Sequence, residues 1–294
     1  MDLAMHTWMR AEPIEAALRR IAPLGYKALE ISGEPERHDV DEVVGLLSEH
    51  GIRCFGAVTL MQGERNLLAA NEGQRAQTIA YVNDCITMVK ELGGEEMSIV
   101  PCTVGKITPD SIPENEWQWA VDSLEEIYDH GMRAGVRLGI EPINRFETYF
   151  INRGDQALAL AEAVGPECGV CLDIFHMNIE ETDVLAAIRR AGDRLVDFHV
   201  ADNNRMAPGM GTLDWPAIVD TLKEVGYDGP LSVEFCAPVD RTPANPHPEA
   251  LEREPIDIDP EQKKYLEEHG STSISEAFYS FLVETSAKTL LPLI

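Results

Sequence analysis

Four short runs of strand-forming residues each stop at a side chain able to bind a cation. Arg137-Leu-Gly-Ile runs into Glu141, Val170-Cys-Leu into Asp173, Leu195-Val-Asp-Phe into His199, and Leu231-Ser-Val into Glu234. An acid at the end of a buried strand is costly to bury unless a hydrogen bond, a partner charge or a metal neutralises it. Taken singly, a strand-end acid is more often a helix cap or a salt-bridge partner. On four consecutive strands, three carboxylates and one imidazole describe one site for a single hard or borderline divalent ion. That suits Mn²⁺, with Mg²⁺ or Co²⁺ as alternatives, better than a thiolate zinc site.

Further polar residues stand in the segments just beyond those strands. Glu147 follows Asn144-Arg145-Phe146, His176 comes three residues after Asp173, and Arg205 closes Asp202-Asn-Asn-Arg. Their shared place above the metal makes them candidates for substrate contact. The alternatives are a helix cap for Glu147 and simple balancing of local acids for Arg205. His6, near the end of the first apolar run, and Trp8 two residues on are expected at the same mouth. The ring of Trp8 could pack on a sugar face or serve only as rim packing. Glu30, near the end of the second run, is given a structural role.

Residues so far apart in the chain need a scaffold that collects strand ends. A recurring phrase supplies it: an amphipathic helix, a glycine just past its end, then a short apolar run. The glycines are Gly25, Gly51, Gly93, Gly135, Gly165, Gly192 and Gly226, each suited to the left-handed position that ends a helix. Strands are predicted at 3–7, 28–31, 53–58, 97–100, 137–141, 170–173, 195–199 and 231–234. Helical patterns fill the gaps and end near 275–290; Pro13, Asp183 and Asp214 mark good helix starts. Eight strand–helix units over roughly 250 residues is the count of a (β/α)8 barrel, the TIM barrel, whose catalytic rim lies at the carboxyl ends of its strands. An open doubly wound sheet would call for a glycine-rich fingerprint after the first strand, which is absent.

Composition narrows the partners. The chain of 294 residues, 44% hydrophobic and 26% charged, suits one globular domain over 1–294. Its formal net charge of −27 argues against nucleic acid and anionic membrane. No apolar stretch reaches bilayer length, and the N-terminus lacks the pattern of a signal peptide, so a cytoplasmic protein with unpaired thiols is expected. One segment breaks the rhythm: an acidic, Pro-rich excursion over 237–272, between the last strand and the last helix. It is expected to be a lid or an interaction segment, or else a solvated loop, with a short polar helix over 262–268.

The phrases Ile140-Glu-Pro-Ile-Asn-Arg-Phe-Glu-Thr, Cys171-Leu-Asp-Ile-Phe-His-Met-Asn-Ile-Glu-Glu, Phe198-His and Asn204-Arg followed by Pro208-Gly-Met-Gly resemble the xylose-isomerase-like barrels. Within them the chain is most similar to the D-tagatose/D-psicose (ketose) 3-epimerases. That resemblance implies Mn²⁺ or a similar ion on Glu141, Asp173, His199 and Glu234. It also implies Glu141 and Glu234 as an acid/base pair on opposite faces of the sugar, with Glu147, His176 and Arg205 holding its hydroxyls and carbonyl. The substrate half departs from the family at Glu234-Phe-Cys236, at Pro101-Cys-Thr-Val-Gly, at His6-Thr-Trp8 and in the C-terminal excursion.

The expected activity is a metal-dependent sugar isomerase or epimerase, a ketose 3-epimerase, working by proton abstraction next to a carbonyl through an enediolate. The rival uses the same abstraction for β-elimination from a keto-sugar, as an inosose-dehydratase-like lyase or a C-glycoside deglycosidase catalytic subunit. Weaker rivals are an endonuclease IV-like nuclease and a non-catalytic sugar-binding protein. The expected partners are a small sugar or keto-sugar and a second copy of the chain, or a smaller companion subunit in the deglycosidase case.

Overall fold

Every apolar run predicted as a strand is one, in a computed structural model that describes residues 1–251, 260–270 and 273–294. The strands are β1 (Leu3–His6), β2 (Ala28–Ser32), β3 (Arg53–Val58), β4 (Glu96–Ile99), β5 (Arg137–Ile140), β6 (Gly169–Asp173), β7 (Leu195–Val200) and β8 (Leu231–Val233). Each pairs in parallel with the next, and β8 pairs with β1, so the sheet closes into an eight-stranded barrel. The ladder between β6 and β7 carries a bulge: Val170 lies opposite Leu195, but Cys171 lies opposite Asp197 and Asp173 opposite His199.

Helices wrap the outside: α1 (Ile14–Ile21), α2 (Val40–His50), α3 (Glu72–Glu91), α4 (Pro113–Ala134), α5 (Gly154–Val164), α6 (Ile174–Glu180), α7 (Val184–Ala191), α8 (Trp215–Glu224), α9 (Pro260–His269) and α10 (Glu276–Leu290). Asp183 and Asp214 cap α7 and α8, accepting from Ala186 N at 2.9 Å and Ala217 N at 3.1 Å. Leucines and isoleucines such as Leu18, Ile21, Leu124, Ile127 and Leu222 are fully buried among the apolar residues of the core. The barrel interior is polar instead, with His6, Glu30, Glu96, Ser98, Asp197, His199 and Ser232 all buried.

Two local expectations change. α6 follows β6 without a break, ahead of the helix start expected at Asp183. Asp173, read as a strand-end ligand, also caps this helix by accepting from Phe175 N at 2.7 Å. Gly165 is not left-handed but extended, with φ 173°; it is glycine because a Cβ there would lie 2.7 Å from the ring of Tyr128.

The six cysteines are free thiols, and burial pushes Cys54, Cys85 and Cys168 up to about 12, which keeps them inert. Among the described residues no helix is long and apolar enough to cross a membrane. Of the excursion at 237–272, residues 252–259 and 271–272 lie outside the described residues. The short polar helix expected at 262–268 is present as α9, and its C-terminal end borders the barrel mouth.

Candidate active site

Glu141 comes directly after β5, Asp173 ends β6, His199 lies in β7 and Glu234 comes directly after β8. All four are buried, and one ligand atom from each lies within 4.8 Å of the others. His199 Nδ1 stands 3.1 Å from Glu141 Oε1 and 3.2 Å from Glu234 Oε2. Asp173 Oδ1 is used in capping α6, while Oδ2 is buried and has no hydrogen-bond partner among the described residues; His176 Nε2 is 3.6 Å away.

Electrostatics show why this cluster asks for a cation. Burial, with the charges of Glu234 and Glu141, pushes Asp173 well above the usual carboxylate range. Burial, with Glu234 and Asp197, raises Glu141 against the pull of His199. Burial also opposes ionisation of Glu234, but His6, His199 and Arg205 outweigh it and hold its carboxyl well below the usual range. Three buried carboxyls gathered around one imidazole, two of them on its Nδ1, are tolerable only with added protons or a metal ion between them. The orphaned Oδ2 of Asp173 and the oxygen-rich donor set fit a hard or borderline divalent ion.

The other nitrogen of His199 faces down into the barrel, 2.9 Å from Asp197 Oδ2 and 3.3 Å from Glu30 Oε1. Against burial, the charges around it, Glu30, Glu141 and Glu234 among them, hold His199 well above the usual histidine range; an ion taking the place of the Nδ1 proton would leave Nε2–H on Asp197, the arrangement that metal-bound histidines use. Charge and hydrogen bonding from His199 overcome burial and keep Asp197 ionised, whereas burial and Asp197 push Glu30 up to about 8. Asp197 escaped the sequence reading. Its signal was its spacing, because residues two apart on a strand share a face and Asp197 must point the same way as His199.

The loops place the remaining candidates. Asn144 Nδ2 bridges Glu147 Oε1 and His176 Nδ1, both at 2.8 Å, and Arg205 Nη1 donates to the same Glu147 oxygen at 3.0 Å. His176 therefore accepts on Nδ1 and carries its proton on Nε2, toward Asp173. Burial, then the Arg205 charge, hold it neutral, well below the usual histidine range. Arg205 has a left-handed backbone, φ 60°, in a loop organised by buried Asp202, which accepts from Asn203 N, Gly209 N, Leu213 N and Trp215 Nε1 at 2.9–3.3 Å. Its guanidinium lies over the Phe175 ring at 4.7 Å. Asn144 and Asp202 lie within the loops expected over the site, but nothing in the sequence marks the bridging role of the one or the loop-holding role of the other.

A cavity of about 550 Å³ opens onto this cluster. Its lining includes the polar Glu141, Glu147, His176, Arg205 and Glu234 and the apolar Val58, Leu60, Met61, Val100, Val104 and Ile143. Trp8 also borders it, and its indole Nε1 donates to Glu234 Oε1 at 2.9 Å, so this ring is both wall and hydrogen-bond donor. His6, expected among the substrate contacts, does not line the cavity. As the last residue of β1 it points into the barrel, beneath the site, 3.2 Å from Glu30 and edge-on to His199 at 4.5 Å. The α9 residues Glu267, Glu268 and His269 contribute to the rim.

Residues 18–257 match the family described as xylose isomerase-like TIM barrel. The D-psicose 3-epimerase of Ruminiclostridium cellulolyticum is 31% identical over 230 residues, covering 74% of this chain and 76% of its own. The L-ribulose 3-epimerase of Mesorhizobium japonicum is 28% identical over 223 residues, covering 75% of each. The crystal structure of D-psicose 3-epimerase with D-tagatose from Clostridium cellulolyticum H10 superposes over 100% of this chain and 99% of that one, with a TM-score of 0.82 at 22% identity. Strand closure, the gathering of strand-end residues at one rim and this family match agree, and the chain belongs to the xylose isomerase-like TIM barrel family.

Proposed function

We propose that the chain is a divalent-metal-dependent sugar epimerase of the ketose 3-epimerase type. The observation that carries this reading is that Glu141 and Glu234, from strands on different parts of the barrel wall, both reach the same cavity beside His199 and Asp173. The epimerase relatives point the same way. A divalent cation held by Glu141, Asp173, His199 and Glu234 would supply the positive charge that makes a proton next to a sugar carbonyl acidic. One of the two cavity-facing carboxylates removes the C3 proton and the other returns one to the opposite face, by way of an enediolate of the sugar. Arg205 and the Nε2–H of His176 donate to substrate oxygens, and Glu147, fixed by Asn144 and Arg205, accepts from a hydroxyl. Trp8 and the apolar wall exclude water from the reacting carbon.

Incubation in D₂O with a panel of ketoses tests the reading. Deuterium at C3 of recovered ketose and of its epimer is the expected result; absence of exchange from every ketose overturns it. Chelation followed by dialysis should remove more than ~90% of this activity and added Mn²⁺ or Co²⁺ should restore it, because the substrate proton is too weakly acidic without a nearby cation. Full turnover after exhaustive metal removal contradicts the site. Asp197→Asn should lower divalent-ion affinity about 10- to 100-fold, measured by calorimetric titration, through loss of the carboxylate that orients His199.

One observation favours the elimination reading as the second. The cavity is roomier than a single hexose needs and falls within the ~300–1,000 Å³ that holds larger ligands, with most of its wall apolar. A keto-glycoside carrying an apolar aglycone would fill it. Release of an aglycone from 3-oxo-glycosides in the same D₂O experiment, or a smaller subunit that co-purifies, selects this reading over epimerisation.

A further inference from the structure

Trp8 lies beyond the end of β1, where the strand ladder no longer holds the chain; Thr7 N still bonds Glu30 O at 3.2 Å, but residue 8 begins an irregular turn. Its position is nevertheless consequential, since its indole grips Glu234. The anchor comes from the far end of the sequence. The hydroxyl of Tyr265 on α9 donates to the carbonyl of Trp8 at 3.0 Å and lies 3.4 Å from that of Thr7.

α9 is itself pinned over this edge of the barrel. The Tyr265 ring stacks on His269 with centroids 3.7 Å apart, and His269 sets Nδ1 2.7 Å from the Tyr265 carbonyl and Nε2 3.1 Å from Glu34. Arg37 bonds Glu34 at 2.8 Å and Glu268 at 3.1 Å, and its guanidinium lies over the Tyr265 ring at 5.6 Å. The phenol is thus held by His269 and Arg37 while its oxygen reaches the carbonyls of Trp8 and Thr7, the former at 3.0 Å.

We infer that Tyr265 is a positioning residue for the reaction proposed above, acting through Trp8 on the carboxylate of Glu234. With the phenol in place, the Trp8 backbone is fixed and its indole N–H holds Glu234 Oε1, leaving Oε2 turned toward His199. Without it, the turn at residue 8 is freer and the carboxylate samples orientations in which neither oxygen is set for its task. The excursion thereby enters the active site by orienting a residue that touches substrate, while α9 forms part of the wall. The turnover part of this inference rests on Glu234 acting as proposed; the structural part does not.

The test uses the full chain labelled with ¹⁵N-tryptophan. Its four tryptophans give four indole signals, and Trp8→Phe identifies the one belonging to residue 8. Tyr265→Phe, which keeps the stack on His269, is expected to shift or broaden that signal and leave the other three in place. On a ketose that exchanges in D₂O, it should lower kcat about fivefold, the effect of one hydrogen bond, with KM within about twofold. In the Trp8→Phe background the same substitution should cost almost nothing further, because both act along one path. An unmoved Trp8 signal overturns the inference, and so does a Tyr265→Phe loss that persists in full in the Trp8→Phe background. If no sugar is turned over at all, the proposed reaction fails, and the indole signal still decides whether Tyr265 holds Trp8.

Discussion

Asp173→Asn should leave the barrel folded and abolish its response to divalent ions. The two oxygens of Asp173 do separate jobs: Oδ1 accepts from Phe175 N and starts α6, while Oδ2 has no hydrogen-bond partner among the described residues. Asparagine keeps an acceptor for the cap and replaces the other oxygen with an amide that cannot ligate a cation. Ion affinity is expected to fall by on the order of a hundredfold or more, since even outer partners of metal ligands are worth 10- to 100-fold. Stability makes the same point with opposite sign. Burial and neighbouring carboxylates disfavour the charged form of Asp173, so without added metal the variant should melt at or above the wild-type temperature. With Mn²⁺ at ~100 times its Kd, the wild type should gain about 2.7 kcal/mol and the variant almost nothing. Equal Mn²⁺ stabilisation of the two proteins would rule out Asp173 as a ligand. Asp173→Ala separates the two jobs, losing about 1 kcal/mol of cap energy in addition.

Glu234→Gln should produce the largest loss of chemistry. This carboxylate borders the cavity, accepts from Trp8 through Oε1 and faces His199 through Oε2. Glutamine preserves the shape and one acceptor but cannot take up a proton at neutral pH. Interconversion of the C3 epimers is expected to slow by roughly 10²- to 10⁴-fold, the usual contribution of a positioned acid or base, with a smaller change in KM. Glu141→Gln should match it for interconversion and differ in stereochemistry. Each variant keeps one carboxylate, so each should still exchange the C3 proton of one epimer with solvent, and the two variants should favour opposite epimers. Identical exchange patterns in both would place the two carboxylates on the same face and refute the two-base scheme.

The barrel was legible because its signals are local. Apolar runs punctuated by glycines repeat eight times, and strand ends such as Arg137-Leu-Gly-Ile-Glu141 announce where polar residues meet. The convergence of Glu141, Asp173, His199 and Glu234 then follows from barrel closure alone. What escaped was double duty and distance. Asp173 was read as a ligand and not also as the start of α6, because a single letter shows one role at a time. Asp197 looked like an interruption in an apolar run, when the closed barrel gave it a polar interior and His199 as partner. Trp8 and Glu234 are 226 positions apart and meet only because β1 pairs with β8. The link from Tyr265 to Trp8 spans 257 positions and had no periodicity to betray it.

The bulge between β6 and β7 has a bearing on how such an enzyme could be lost or remade. Had the pairing continued from Val170 opposite Leu195 without interruption, Asp173 would stand beside Phe198, and His199 would fall one step out of line. Leaving one residue, Val196, without a partner in the ladder therefore brings His199 level with Asp173. Straightening the ladder by deleting Val196 would keep Asp173 level with His199, whereas straightening it by a one-residue slip of β7 would part them, so one architecture keeps its chemistry by the first route and sheds it by the second.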